Sequence, residues 1–159
     1  MLREADDDYL ESLQKQAILD NKEIVVSAVI INNDQVFVQK RSASRKLFPN
    51  CWDVVGGHVE ANEDIYSALK REIKEETGWR IDFIAGHFNS FDWYADDKAK
   101  REFAFLVIVR GNLDKPKLEK DKHSSFLWLD EADVEILKDK PDDLYIYNLV
   151  KKAFNELPS

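Results

Sequence analysis

The chain has 159 residues, of which 44% are hydrophobic and 34% are charged, and its formal net charge is −8 at pH 7. This length favours a single domain over residues 1–159, large enough for a hydrophobic core without disulfides or structural zinc. The negative charge disfavours binding to long nucleic acids or membranes, no apolar run is long enough to span a bilayer, and the single cysteine indicates a reducing, cytoplasmic compartment.

The first third of the chain is predicted to form a helix, a hairpin and a short strand. Residues 1–20 carry scattered apolar positions that are typical of a short amphipathic helix at most. A run of β-branched residues over 23–31 predicts a buried strand, and residues 36–38 return as its hairpin partner. A basic loop at 41–46 then leads to a short strand at 52–55, which runs into two glycines.

The rest of the chain is predicted to alternate between helices and strands. A helix over about 63–77 has Asn62 as its expected N-cap and ends at Gly78. Further elements are expected as strands at 80–85, 87–93, 102–109 and 126–129, a short helix at 130–137 and an amphipathic helix at 142–157. The nearly continuous apolar run at 102–109 favours a central strand. Together these elements predict an α/β (α+β) fold with a mixed sheet between helices.

Three glutamates stand on or beside the apolar face of the helix at 63–77. That face consists of Ile65, Leu69 and Ile73. Glu76 falls within it, Glu72 lies at its edge and Glu75 lies on the adjoining face, so mutually repelling carboxylates stand where the helix is buried. A divalent cation removes this repulsion, and carboxylate ligands suit Mg²⁺ or Mn²⁺ better than zinc. For an isolated pattern of this kind, a solvated acidic face is the alternative.

The glutamates belong to a longer pattern that begins at Gly57. Five residues separate Gly57 from Glu63, seven more separate Glu63 from Arg71, and residues 71–79 read REIKEETGW. This pattern resembles the signature of the Nudix hydrolase family, G-x5-E-x7-R-E-U-x-E-E-x-G-U with U a bulky apolar residue, at every specified position. Many members have a proline before the glycines where this chain has Val55, which affects the expected loop shape and subfamily.

The resemblance implies an α/β/α sandwich that hydrolyses a diphosphate linked to another group and requires Mg²⁺ or Mn²⁺. It implies Glu72 and Glu76 as metal ligands. Glu75 is either a further ligand or the base that deprotonates the attacking water, so Glu75 and Glu72 are the candidates for catalysis.

Backbone and distal groups are expected to complete the metal shell. The resemblance implies a carbonyl of Gly56 or Gly57, because glycine lets the backbone approach closely and accommodates the positive φ of a tight loop. Members of the family often add a carboxylate from a distal loop, and the candidates here are Glu119 and Asp121. The spacing of the residues selects neither of the two.

Other residues are expected to hold the loop or to contact the substrate. Glu63 and Arg71, eight residues apart, are predicted to form an ion pair that fixes the loop to the helix. Candidate substrate contacts are Arg41, Trp52, Asp53, Phe91 and Trp93. A solvated loop and core packing of the aromatic rings are the alternatives for these residues. The three histidines show no ligand spacing and are expected at the surface or in loops.

The expected partner is a small phosphorylated substrate, such as a nucleoside diphosphate derivative or a (deoxy)nucleoside triphosphate, and a homodimer is left open. Two alternatives to a hydrolase remain at this point. An isopentenyl-diphosphate isomerase-like enzyme shares the fold but needs a reactive cysteine, and this chain has only Cys51. A non-catalytic nucleotide-binding module is disfavoured because degenerate members usually lose signature glutamates, and all four are present here.

Overall fold

The computed structural model describes residues 2–158, which form a seven-stranded mixed sheet with helices against it. In chain order the elements are α1 (Asp7–Leu19), β1 (Glu23–Asn32), β2 (Gln35–Arg41), β3 (Trp52–Asp53), β4 (Val55–His58), α2 (Ile65–Thr77), β5 (Arg80–Ala95), β6 (Lys98–Arg110), β7 (His123–Leu129), a 3₁₀ helix (Glu131–Leu137) and α3 (Tyr145–Glu156). The predicted α/β class is confirmed. None of the described helices is long and apolar enough to cross a membrane.

The sheet divides into two arms because β1 and β2 pair only beside their connecting turn. Their paired residues are Ile31 with Val36 and Asn32 with Gln35, and beyond this point β1 pairs with β4. One arm has the order β4–β1–β6–β5, with β6 parallel to β1, and the other has the order β3–β2–β7. Strand β6 therefore lies between two neighbours, as its apolar sequence predicts.

Alternation along β1 and β6 sends side chains into two hydrophobic clusters, one on each face of the sheet. Val26 and Phe103 join the cluster that contains α1 and α2, whereas Val29 and Leu106 join the cluster that contains α3. The predicted apolar face of α2 is confirmed, since Ile65, Leu69 and Ile73 are fully buried in the first cluster. Helices α2 and α3 therefore cover opposite faces of the sheet.

The start of α2 differs from the prediction. Its N-cap is Asp64 rather than Asn62, because the Asp64 carboxylate accepts a hydrogen bond from the backbone N–H of Ser67 at 2.7 Å. Asn62 instead occupies the preceding turn with φ of +66°. At the other end Gly78 closes the helix with φ of +78°, as predicted. The short helix at 130–137 is a 3₁₀ helix.

The two strands predicted at 80–85 and 87–93 are one continuous strand, β5. It pairs with β6 along its whole length through three register irregularities, so bulges rather than a break interrupt its apolar pattern. A tight turn of Asp96 and Asp97 joins the two strands, and both residues have positive φ.

Two of the three histidines are buried in strands, contrary to the expectation. The Nδ1 atom of His87 lies 2.7 Å from the hydroxyl of Tyr9, which connects α1 to β5. His123 is buried in β7, and burial lowers its pKa to about 4. Burial also lowers the pKa of His87, so both rings are neutral at pH 7.

Candidate active site

The two glycines before the helix lie in an extended strand, β4, and not in the tight loop that was expected. Gly56 and Gly57 both lack positive φ, so that part of the expectation is wrong. The other expected reason, close approach of the backbone, is confirmed. A Cβ atom on Gly56 would overlap the carbonyl oxygen of Val26, and one on Gly57 would overlap the carboxylate of Glu72. Gly56 therefore lets the strand lie against β1, and Gly57 leaves room for the carboxylate of Glu72.

The carboxylate of Glu76 is buried between α2 and the sheet, as its position in the apolar face predicts. The residue is 5% exposed. The side-chain amide of Gln39 donates to Oε1 at 2.8 Å, and the backbone N–H of Gly56 donates to Oε2 at 3.2 Å. Burial first, and then contact with the Glu72 carboxylate, raise the pKa of Glu76 to about 10. Without a cation, burial beside the Glu72 carboxylate therefore favours the protonated form of Glu76.

Arg71 connects the glutamates of α2 to the loop before it. Its Nε and Nη2 atoms lie 2.7 and 2.9 Å from the two carboxylate oxygens of Glu63, which confirms the predicted ion pair. Its Nη1 atom lies 2.8 Å from Glu72 and 3.4 Å from Glu75, and Nη2 donates to the carbonyl of His58 at 3.0 Å. Arg71 therefore orients Glu72, while the Glu75 side chain remains 48% exposed.

The carboxylates of α2 fit a divalent cation by their chemistry, although the described residues do not surround a single point. Within residues 2–158 no three His, Cys, Asp or Glu side chains are grouped as a metal site requires. Glu72 and Glu76 adjoin one another, and Oε1 of Gln39 is buried beside Glu76 with no partner in this part of the chain. A buried carboxyl group whose pKa is raised beside a second carboxylate offers a position where a cation can replace the proton.

A cavity of about 530 Å³ opens along β4 and reaches the first residues of α3. Gly56 and Gly57 line this cavity and also contact the glutamates of α2. Strand β4 therefore connects the cavity to the carboxylates. Four of the five expected substrate residues line the cavity, namely Arg41, Asp53, Phe91 and Trp93. Since these residues come from β2, β3 and β5, the fold gathers them from three separate strands.

The fifth candidate, Trp52, does not line the cavity. Its backbone N–H donates to Asp139 at 2.9 Å, its carbonyl accepts a hydrogen bond from Lys140, and its ring contacts the ammonium group of Lys40. Trp52 is therefore a packing residue. The neighbouring Cys51 is also outside the cavity, with its Sγ atom 3.6 Å from the carbonyl of Asp139.

The two distal carboxylates do not line the cavity either. Glu119 lies 3.6 Å from the ammonium group of Lys122. The Asp121 side chain is exposed, and its backbone carbonyl accepts a hydrogen bond from Ser42 at 2.8 Å. Among residues 2–158, neither of them joins two of the α2 glutamates in a group that could hold a metal.

One wall of the cavity carries an ion pair between Arg41 and Asp53. The Nη1 atom of Arg41 lies 3.1 Å from Oδ2 of Asp53, and its Nε atom donates to the carbonyl of Leu47 at 2.9 Å. Burial raises the pKa of Asp53 even though Arg41 opposes the shift. Arg41 thus brings positive charge to the cavity and also fixes the loop that contains Leu47.

A further carboxylate, Glu102 in β6, lines the cavity. It is 8% exposed, and its Oε2 atom accepts hydrogen bonds from the hydroxyls of Ser27 at 2.7 Å and Tyr145 at 2.6 Å. The ring of Phe91 lies 5.0 Å from that of Tyr145, with 32° between their planes. The cavity therefore combines aromatic walls with a buried charge.

The sequence profile of the NUDIX domain matches residues 21–150, which is most of the chain. The chain belongs to the Nudix family. Among solved structures, a NUDIX hydrolase from Nitrosomonas europaea has a TM-score of 0.68 at 18% identity, covering 84% of this chain and 89% of that one. A protein from Deinococcus radiodurans has a TM-score of 0.62 at 26% identity and covers 83% of each chain. The Nudix fold implied by the signature is confirmed.

Curated relatives place the chain among several kinds of Nudix protein. An uncharacterized Nudix hydrolase from Nostoc is 37% identical over 112 residues, covering 66% of this chain and 62% of that protein. The nucleoside triphosphatase NudI of Salmonella typhimurium is 28% identical over 134 residues, covering 79% and 86%. An m7GpppN-mRNA hydrolase from Xenopus laevis is 43% identical over 53 residues, which are 33% of this chain and only 18% of that protein.

Outside the Nudix signature, sequence analysis missed Glu102 and Tyr145 as residues of the site. One signal was present, because Glu102 is the charged residue that begins the apolar run at 102–109 of this central strand. A charge in such a strand needs partners, and these come from β1 and α3. No pattern in the sequence pairs Glu102 with Ser27 or Tyr145, since the sheet alone brings them together.

Proposed function

We propose that this Nudix protein is a pyrophosphohydrolase that requires Mg²⁺ or Mn²⁺ and uses water to cleave the diphosphate linkage of a small nucleotide-type substrate. One observation carries the proposal. Strand β4 has the paired carboxylates Glu72 and Glu76 against it and also lines a cavity of about 530 Å³, a volume typical of small-ligand sites. The likeness to NudI, a nucleoside triphosphatase, supports a nucleotide as the substrate.

The proposed metal ligands are Glu72, Glu76 and a backbone carbonyl of Gly56 or Gly57, with Glu75 as a further ligand. Carboxylate and carbonyl oxygens suit Mg²⁺ or Mn²⁺ better than zinc. Such an ion, when bound, supplies neutralisation of the phosphate charge and lowers the pKa of a bound water. Gln39 and the N–H of Gly56 hold Glu76 in place through the hydrogen bonds described above.

The proposed catalytic residues are Glu75 and Glu72. The Glu75 side chain is 48% exposed and therefore free to accept the proton of the attacking water, while Arg71 holds Glu72 at 2.8 Å. Water attacks phosphorus, the bond to the bridging oxygen breaks, and the leaving phosphate takes the electron pair of that bond. Arg41 lines the cavity and supplies positive charge for the phosphate chain of the substrate.

A panel assay tests this function. We expect ADP-ribose, nucleotide sugars, dinucleoside polyphosphates, canonical triphosphates or 8-oxo-dGTP to release nucleoside monophosphate with Mg²⁺ or Mn²⁺ and to release none with chelator. An isomerised product without phosphate release would indicate the isomerase alternative. Metal-supported binding without cleavage of any compound would indicate a non-catalytic module. Either outcome would refute the proposal.

We further propose that residues 1–159 act as one domain in the cytoplasm. Helix α1 lies before the segment that the family profile matches, yet Leu10 and Ala17 belong to the same buried cluster as α2. Arg3 also exchanges two backbone hydrogen bonds with His87, at 2.8 and 2.7 Å. A variant lacking residues 2–20 is expected to unfold at a lower temperature than the full chain, in a single transition.

A further inference from the structure

Ser27, Glu102 and Tyr145 present hydrogen-bond acceptors to the cavity that they line. The Oε2 atom of Glu102 accepts two hydrogen bonds, one from the hydroxyl of Ser27 and one from the hydroxyl of Tyr145. A carboxylate has no proton to give, so both hydroxyls must donate to it. Burial first, and then the charge of Glu102, raise the pKa of Tyr145, which keeps its phenol protonated.

Because both hydroxyls donate to Glu102, Ser27, Glu102 and Tyr145 can offer a ligand only lone pairs, which accept hydrogen bonds. Both hydrogen bonds to Glu102 in the described chain are at Oε2, and the hydroxyls of Ser27 and Tyr145 use their protons in them, so Oε1 keeps its lone pairs. The Tyr145 hydroxyl is also hydrogen-bonded by the side chain of Asn89, so Oε1 of Glu102 is the main acceptor. All three residues line the cavity, and we call them the acceptor floor. A ligand that reaches the acceptor floor must bring donors, because a carbonyl oxygen placed there would meet only other oxygens.

Neither of the two cations that line the cavity contacts Glu102. Arg41 is paired with Asp53, and Lys140 donates to the carbonyl of Trp52 and lies 3.4 Å from Asp139. Within the described residues, Glu102 therefore depends on the two hydroxyls and on the donors that a ligand brings.

The aromatic walls above the acceptor floor fit a flat ring. Phe91 and Tyr145 lie 5.0 Å apart at 32°, and Trp93 and Phe48 also line the cavity. Planar heteroaromatic rings stack on such side chains. The Nε1 atom of Trp93 is a buried donor with no partner among residues 2–158, so a ring that carries an acceptor beside its donors can use it as well.

We infer that the acceptor floor selects nucleotides whose base carries an exocyclic amino group. Guanine, adenine and cytosine each present an amino group beside a ring acceptor, whereas uracil and thymine present one N–H between two carbonyls. The inference rests on the proposed function in taking the substrate to be a nucleotide. It adds that Ser27, Glu102 and Tyr145 determine which nucleotide is bound.

Two matched pairs of nucleoside monophosphates test the inference by calorimetric titration in the absence of metal, so that binding is measured apart from hydrolysis. CMP and UMP differ at position 4 of the pyrimidine, and GMP and IMP differ by the 2-amino group. We expect the amino-bearing member of each pair to bind about tenfold more tightly. In Glu102→Gln the CMP/UMP ratio should fall to about one, because the glutamine amide can donate to the uracil carbonyl.

Two further variants make the result decisive. Glu131→Gln removes an exposed carboxylate outside the cavity and should keep both wild-type ratios. Tyr145→Phe removes one acceptor and should lower the ratios by a smaller factor, even if Glu102→Gln fails to fold. Each ratio is measured within one protein, so it does not depend on the folded fraction.

The outcomes separate this inference from the proposed function. Equal affinities within both pairs, or preferences that survive Glu102→Gln, would overturn the inference while nucleotide hydrolysis in the panel assay still stood. If no monophosphate binds but triphosphates are cleaved, base selection at the floor is also refuted. If nucleotides neither bind nor react, both proposals fall together.

Discussion

The protein buries two carboxylates, Glu76 and Glu102, in opposite ways. Glu76 is 5% exposed and contacts a second carboxylate, and its pKa is raised to about 10. Glu102 is 8% exposed and accepts hydrogen bonds from the hydroxyls of Ser27 and Tyr145. The neighbours of a buried carboxylate thus indicate what it is for. A like charge beside it points to a proton or a cation, whereas hydroxyl donors balance the charge and leave an oxygen for recognition.

The largest expected effect comes from Glu76→Gln in the metal-activated assay. Glutamine keeps the shape and the hydrogen bond from Gln39 but loses the charge proposed to bind the cation. We expect kcat to fall by about 10²–10³-fold with the best substrate of the panel. Near-normal turnover would show that Glu76 does not bind the cation, and would refute the different roles given to Glu76 and Glu102.

The same variant should be more stable than the wild type when metal is absent. The Glu76 pKa is about 10 in the folded chain and near 4.5 in the unfolded chain, so the wild type loses stability as pH rises through 4.5 toward 10. Glu76→Gln does not titrate. Thermal unfolding with chelator should therefore show equal stability at pH 4 and a gain for the variant that grows by up to about 1.4 kcal/mol for each pH unit above 4.5. A difference that does not change with pH would contradict the raised pKa.

Arg71→Ala should lower stability as well as activity. It breaks a two-point ion pair with Glu63 and frees Glu72, and all three side chains are less than one quarter exposed. We expect a loss of about 2–3 kcal/mol by urea unfolding. The matched control is Arg110→Ala, whose ion pair with Asp82 is exposed on both sides and should cost less than about 1 kcal/mol. Equal losses in the two variants would refute the anchoring role of Arg71.

Alanine at each glycine of β4 should separate folding from activity. In Gly56→Ala the new Cβ meets the backbone of β1, which cannot move aside, so we expect a loss of about 1–3 kcal/mol. In Gly57→Ala the Cβ meets the end of the Glu72 side chain, which can move, so activity should fall while stability changes little. Melting temperature and kcat measured on both variants give the answer, and a reversed pattern would argue against the close approach of Glu72 to β4.

The smallest effect is expected from Tyr145→Phe, which removes one of the two donors to Glu102. A hydrogen bond to a charged group contributes about 1.5–3 kcal/mol, and water entering the open cavity should replace part of it. We therefore expect a loss of about 1 kcal/mol, with no change in metal-dependent kcat beyond the effect on base preference. A large fall in kcat for every nucleotide alike would place Tyr145 in the chemistry rather than in recognition.

The predictable half of the site lies within one helix and the loop before it. The helical period predicted the burial of Glu76, and the eight-residue spacing predicted the contact between Arg71 and Glu63, because both depend only on local geometry. The N-cap was wrong because polar residues at 62 and 64 both suit that position, and the turn decided between them.

The other half of the site depends on sheet pairing and could not be predicted from sequence. Glu102 meets Ser27 across 75 residues and Tyr145 across 43 residues. Trp52, which does not line the cavity, has its backbone N–H bonded to Asp139, which lies 87 residues further along the chain. Contacts of this kind follow from the register of β1 with β6 and from the position of α3, and neither leaves a periodic signal.

The reaction rate of the single thiol, Cys51, reports how often the loop beside the cavity opens. Cys51 is buried at the end of the segment that carries Leu47 and Phe48 along the cavity, and backbone hydrogen bonds with Arg41 close this segment at its base. We expect a thiol reagent to react with Sγ faster when those bonds open, since the residue is only 8% exposed while they are closed. The rate of alkylation therefore reports how often the loop detaches, and a substrate that bridges the loop and the sheet should slow it.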